Sequence, residues 1–330
     1  MSKQINIAIL AGGNSSEEGI SLKGAAQITK WLSKTSYNVY TVLIKGISWT
    51  LKHPDLGDIQ ISKDDFSAII DNEKITFDCA LIAIHGTPGE NGLLQGYFEM
   101  VGVPYTTGGV MNTAVTFNKY FCKELVKETG VELARGVMLR KGHVVDPEII
   151  AVQLGLPVFV KPNESGSSYG ISKVKTVEDI AHAVTNALTE DETVLIEEFI
   201  EGRELTCGLV KTSRKEYIFP VTEIVPKNEF FDYNAKYLNQ SEEITPAPIS
   251  AELTDRIHLL SSKIYDRLNC RGIVRIDYIY SNDKLYFLEI NTVPGMSEAS
   301  IVPQQVNAFG KDMDEIFSIV IEDAIKRVSE

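Results

Sequence analysis

Four side chains near the C-terminus combine the atoms that bind a hard cation with a spacing that gathers them. Arg275 and Asp277 lie on the apolar run 272–280, and Glu289 and Asn291 on the run 284–291. Residues two apart on a strand share a face, so each pair projects to one side. Ser281, Asn282 and Asp283 are turn formers, and the two runs read as an antiparallel hairpin that brings the pairs together. Two neighbouring carboxylates repel, and burying even an uncharged unpaired polar group costs about 2–7 kcal/mol. A divalent cation removes that cost, since carboxylates, an amide oxygen and substrate phosphates make a magnesium site. Plain ion pairs to Arg275 or to a lysine would satisfy the same carboxylates, so the hairpin alone leaves both readings open.

A second group suits a nucleotide. Lys161 comes near the end of an apolar strand, and the loop Asn163-Glu164-Ser165-Gly166-Ser167-Ser168-Tyr169-Gly170 follows it. Gly and Ser let a backbone approach closely, and successive N–H groups cradle anions. The loop is neither a Walker A motif nor a dinucleotide fingerprint, and by itself it reads equally as a flexible hairpin loop. Glu197-Glu198-Phe199-Ile200, with Glu204 beyond, reads as a strand running into a linker beside an adenine pocket, or as a charged edge strand. Residues 227–249 lack periodicity, and loops of that length are uncommon unless functional. The aromatic and basic stretch 230–237 within them reads as a lid or as a hydrophobic plug. Glu17 and His85 end strands in the first third.

The elements that must position these groups fall into three blocks. The first third alternates strands at 6–10, 37–44, 79–84 and 103–106 with helices, which implies a small parallel sheet. Its Gly-rich loops, 11–19 and 85–92, leave the C-terminal strand ends, where such sheets bind ligands. A long helix is expected from Gly108-Gly109 through Glu128. Strands and helices then alternate to about 224, a helix carries Leu253, Ile257, Leu260, Ile264 and Leu268 on one face, and Met313, Ile316, Phe317, Val320 and Ala324 mark a final helix. The expected division is 1–108, 109–203 and 204–330.

With 330 residues the chain exceeds one ordinary core. Its formal charge of -13 argues against a nucleic-acid surface, so an anionic substrate must meet local positive charge. No apolar run reaches a membrane span, no secretory leader is evident, and the four scattered cysteines show no metal spacing. The cytoplasm is the expected compartment.

Taken in order, Lys161-Pro162 with its Ser/Gly loop, Glu197-Glu198-Phe199, Arg275-Ile276-Asp277 and Glu289-Ile290-Asn291-Thr292-Val293-Pro294-Gly295-Met296 resemble the ATP-grasp ligases. Ala11-Gly12-Gly13-Asn14-Ser15-Ser16-Glu17, Ile84-His85-Gly86, Gly89-Glu90-Asn91-Gly92, Gly166-Ser167-Ser168 and Asp232-Tyr233-Asn234-Ala235-Lys236-Tyr237 narrow the resemblance to the D-alanine–D-alanine ligase family. It covers essentially the whole chain. It implies an ATP-grasp fold, α/β and α+β, behind an N-terminal parallel-sheet domain.

The resemblance also implies roles. Lys119, Lys161, Ser167 and Lys236 would serve ATP, with Glu197 and the backbone of Glu198, Phe199 and Ile200 at the adenine and Glu204 at the ribose. Asp277, Glu289 and Asn291 would hold two magnesium ions, or manganese in their place. Glu17 would take the ammonium of the first D-alanine, with His85 nearby, and would be tied through Ser167 to Tyr237 of the lid. Ser300 would meet the second carboxylate, and Arg275 and the Gly295 N–H would face the oxyanion. A homodimer is implied, with neither nucleic acid nor membrane as partner. Tyr237 favours an amine acceptor. A ligase using D-lactate or D-serine and a non-catalytic nucleotide-binding protein are the alternatives; the latter would be expected to lack Arg275, Asp277 or Glu289.

Overall fold

The first apolar run, Asn6–Gly12, lies between Asn38–Lys45 and Cys79–Ile82 and pairs with both in parallel. The computed structural model describes residues 4–166, 169–226 and 241–329. The sheet is mixed rather than purely parallel, because Ser48–His53 and Gly57–Gln60 extend its edge antiparallel. These strands are short and partly exposed, so they lack the continuous apolar run that marks a central strand. The strand expected at 103–106 reduces to a bridge between Ala80 and Tyr105.

The long helix expected from 108 to 128 is two helices, Val110–Phe117 and Lys119–Val126. Asn118 separates them in an extended conformation, and its side chain accepts from the Phe121 N–H. An asparagine that caps from its side chain competes with helix continuation. The break turns Lys119 and Lys123 onto a new axis, and the new helix start is stitched to the Ser/Gly loop. The Lys119 N–H donates to Asn163 O at 3.1 Å, the Tyr120 N–H to Asn163 Oδ1 at 2.9 Å, and Asn118 Nδ2 to Glu164 Oε1 at 2.7 Å.

Two antiparallel sheets follow. The first is ordered Ser172–Val174, Val158–Pro162, Thr193–Glu198, Gly136–Arg140. Val158, Val160, Val194 and Ile196 face helices Pro147–Leu154 and Val177–Ala187, which turns Phe159, Lys161 and Glu197 to the opposite face. The second sheet runs Ser241–Ile244, Thr222–Pro226, Arg203–Lys211, Gly272–Ser281, Lys284–Asn291, with Glu216–Ile218 also on Arg203–Lys211. Helix Ala251–Arg267 covers one face through Leu253, Ile257 and Ile264. The final helix, Met313–Ser329, lies in a core shared with the first sheet, where Phe317 and Val320 meet Ile7, Ile9 and Leu81. Among the described residues no helix is long and apolar enough to cross a membrane.

Candidate active site

The two antiparallel sheets border a cavity of about 600 Å³. On the first sheet Glu197 is 4 % exposed and receives two ammonium groups: Lys161 at 2.5 Å, and Lys123 from the helix that begins after Asn118. Burial alone would push the Glu197 carboxyl up. The two cations together outweigh that and hold it at about 2. For Lys123 burial dominates, with Lys161 adding to it, and the ammonium is drawn down to about 8 despite Glu197. The direction that governs the group is an ionised carboxylate between two cations, a net positive charge walled from water. Lys123 was not singled out from the sequence. Its signal was the spacing of four from Lys119, one helical turn along the same face.

Glu198 turns its carboxylate away from the cavity to Arg135, whose Nε donates at 2.7 Å. Glu198, Phe199 and Ile200 line the cavity. The Glu198 N–H donates to Arg135 O and the Phe199 N–H to Pro157 O, while Ile200 N–H has no partner among the described residues. Lys173 sits 3.9 Å over the Phe199 ring. Glu204 and Glu289 line the far side of the cavity.

The hairpin of the second sheet turns at Asn282 and Asp283, both left-handed, with φ of 49° and 62°. That is the backbone of a two-residue hairpin turn. Counting back from the Ser281–Lys284 pair would set Leu288 opposite Asp277 and Glu289 opposite Ile276, in the core. The ladder instead shifts between Asp277 and Tyr278, so Asp277 faces Glu289, Ile276 faces Ile290 and Arg275 faces Asn291. Leu288 is the extra residue of a β-bulge and lines the cavity. A one-residue slip exchanges the faces of a strand, so the bulge keeps both pairs on one face. The apolar spacing announces it: Leu285, Phe287 and Ile290 share a core, two apart and then three.

Asp277 is 3 % exposed and fully engaged. Arg275 donates from Nε to Oδ1 at 2.9 Å and from a terminal nitrogen to Oδ2 at 2.8 Å. Asn291 Nδ2 donates to Oδ2 at 3.0 Å, and the Thr206 hydroxyl to Oδ1. The ion pair that the strand spacing allowed is therefore present. Four donors match the lone-pair sites of one carboxylate, so a cation at Asp277 must displace one of them. Among the described residues no three His, Cys, Asp or Glu side chains cluster as a metal site. Two carboxylates and an amide do suit magnesium, which keeps waters and takes phosphate oxygens for the rest. Asn291 gives its NH₂ to Asp277, which turns its carbonyl oxygen elsewhere, as a ligand requires.

A separate polar group lies at the C-terminal ends of the N-terminal sheet. Glu17 and His85 are 5 % and 8 % exposed. Burial draws the imidazole below its usual range, with Glu17 opposing. The Ser/Gly loop reaches this group: a Cβ on Gly166 would lie 2.6 Å from a Glu17 carboxylate oxygen, so only glycine allows that approach. Lys119 donates to Ser165 O beneath the same loop. Ser300 begins helix Ile301–Ala308, its hydroxyl 2.8 Å from that of Ser297, and stands beside Gly295. Ser167, Lys236 and Tyr237 lie outside the described residues.

Paired antiparallel sheets around a cavity with lysines on one side and carboxylates on the other define an ATP-grasp ligase. The D-ala D-ala ligase N-terminus family model matches residues 6–108, and the D-ala D-ala ligase C-terminus model matches 125–322. The chain belongs to the D-alanine–D-alanine ligase family. It is 48% identical to the D-alanine–D-alanine ligase of Phocaeicola vulgatus over 96% of this chain and 98% of that one. Identity to the enzyme of that name from Porphyromonas gingivalis is 44%, over 97% of each. Among solved structures, D-alanyl-alanine synthetase A from Vibrio cholerae matches with a TM-score of 0.88 at 26% identity, covering 98% of this chain and 99% of that one. The VanG D-Ala:D-Ser ligase from Enterococcus faecalis matches with a TM-score of 0.84, also at 26%, covering 97% and 99%.

Proposed function

We propose that the protein joins two D-alanine molecules to D-alanyl-D-alanine, a peptidoglycan precursor, using ATP. The observation that carries this is its end-to-end similarity to proteins named for that reaction. The first carboxylate attacks the γ-phosphorus; an O–P bond forms and ADP departs. The second amine attacks the resulting acyl phosphate, and the tetrahedral oxyanion collapses with loss of phosphate. No protein nucleophile is required.

Lys119 and Lys161 serve the phosphates, and Lys123 joins them on the strength of its shared partner Glu197. Glu197 and the backbone of 198–200 read the adenine. Since the Glu198 and Phe199 N–H groups are taken, Ile200 N–H is the donor for the base. Glu204 serves the ribose and Lys236 the lid side of ATP. Asp277, Glu289 and Asn291 would hold two magnesium ions, or manganese. Bound there, the ions would neutralise phosphate charge. Glu17 and His85 hold the first D-alanine, Ser167 and Tyr237 link that site to the lid, and Ser300 holds the second carboxylate. Gly295 N–H and the remaining N–H groups of Arg275 face the oxyanion, where preplaced donors act most strongly. Blocks 109–203 and 204–330 would enclose the nucleotide and block 1–108 would supply the first D-alanine site, and a cytoplasmic homodimer is the expected form.

The test is phosphate release from ATP and magnesium with D-alanine alone, then with D-lactate, D-serine or L-alanine added. Turnover with D-alanine alone supports the reading, and its absence would sink it. A marked gain with D-serine or D-lactate would reassign the acceptor.

A further inference from the structure

Residues 292–296 leave the hairpin directly after Asn291, and the first domain holds them on both sides of Gly295. Val293 is buried in the core on the outer side of the first sheet, with Ala8, Leu10, Ile84 and Phe98. Met296 is buried in the core on the other side, with Ile9, Ala25 and Phe317. The Val293 N–H donates to Glu90 Oε1 at 3.3 Å, and the Gly86 N–H donates to Glu90 Oε2 at 2.7 Å. The His85 ring lies within hydrogen-bonding reach of the Val293 backbone as well. One carboxylate thus spans the turn that carries His85 and the segment that carries Gly295.

We propose that Glu90 is a positioning residue for the ligation. By fastening Val293 to the His85–Gly86 turn, it fixes Asn291 and the Gly295 N–H relative to Glu17 and His85. This rests on the ligase reading above. The two sides belong to segments about two hundred residues apart, and the reaction requires them in one geometry. The carbonyl under attack is held from the first-domain side, while the oxyanion donor comes from the hairpin side. Misplacement by 1 Å can cost about a hundredfold in rate. Glu90 stands in no ion pair among the described residues. Burial and the neighbouring Glu17 raise its carboxyl, while the N–H donors facing both of its oxygens and Lys119 favour the ionised form that accepts them. A group so placed is a poor stabiliser of the fold, which favours a role in the site.

Glu90→Gln tests the link at constant size. An amide keeps one acceptor and turns its NH₂ on the other N–H, so one bond is lost. The expected result is a fall in kcat with D-alanine of about ten- to a hundredfold, with KM for ATP and affinity for ADP within about twofold of the unaltered enzyme. Glu90→Asp keeps the charge but is one methylene too short to span both N–H groups; it reads the same split and serves if the first variant does not fold. Unchanged kcat in Glu90→Gln overturns the proposal. So does a loss of kcat matched by an equal loss of ADP affinity, which is a general loss of structure. The unaltered enzyme in the same assay separates the two readings: its turnover beside an unaffected variant sinks only the role of Glu90, and its silence sinks both.

Discussion

The two ends of the nucleotide cavity are charged in opposite senses. On the first antiparallel sheet one carboxylate, Glu197, is shared by two ammonium groups. On the hairpin one guanidinium, Arg275, stands with two carboxylates, Asp277 and Glu289. Ammonium groups outnumber the carboxylate in the first group, and carboxylates outnumber the guanidinium in the second. Burying such an excess is costly, and hydrophobic replacements are often more stable. The difference teaches that neither end is built for stability alone. A phosphate chain carrying a divalent cation satisfies both at once, the anion towards Lys123 and Lys161, the cation towards the hairpin.

Altering the excess at each end should therefore have different consequences. Glu289→Gln removes the negative excess, and kcat should fall about a thousandfold, the rate equivalent of several kcal/mol of charge stabilisation. Thermal unfolding should move little, because Glu289 is only half-buried. Phosphate release across a magnesium titration checks this, and unchanged activity at unchanged metal demand would break the contrast. Glu197→Gln acts at the other end and on the fold itself. Leaving two buried cations without a carboxylate should cost about 3–5 kcal/mol in denaturant unfolding.

The same residue carries a pH signature. Folding lowers its carboxyl from 4.5 to about 2, so the stabilisation is complete above pH 4.5 and is lost as pH falls towards 2. Glu197→Gln should flatten the stability profile across that window; an unaltered slope there would refute the pairing. Lys161→Met leaves Glu197 paired with Lys123 and should raise KM for ATP about ten- to a hundredfold, as expected for one charged hydrogen bond. An unshifted KM would mean that Lys161 serves Glu197 alone. Leu288→Ala removes only apolar surface from the cavity wall and should weaken ADP binding about fivefold. Calorimetric titration would measure it, and a larger effect on metal demand than on ADP would contradict the separation of the two ends.

Much of this site was legible because it depends on residue type at short range. Arg275, Asp277, Glu289 and Asn291 stand out as polar atoms in apolar strands, and the turn residues between them announce the hairpin. Its phase was less visible. Alternation fixes which residues share a face within one strand, but the pairing between strands depends on the turn and on Leu288. The departure from strict alternation at Leu285, Phe287 and Ile290 was the available clue. Lys123 escaped notice because its importance comes from a partner far along the chain, and the break at Asn118 was hidden under continuous helical periodicity. Glu90 stood in a recognised motif, yet its link to Val293 joins distant segments and leaves no mark on either. Ser48–His53 and the edge strand Gly57–Gln60 are short and only partly buried, so no continuous apolar run declares them.

The unpaired Leu288 divides the hairpin into two lengths that keep separate time. Between it and the turn, the ladder is governed by the fit of Leu285 and Phe287 into their core. Beyond it, the ladder is governed by the acids. The register of one length is set off from that of the other by this single unpaired residue. Deleting that residue would exchange the faces of the reacting length, turning Glu289 towards the core, while leaving the ladder beside the turn in register.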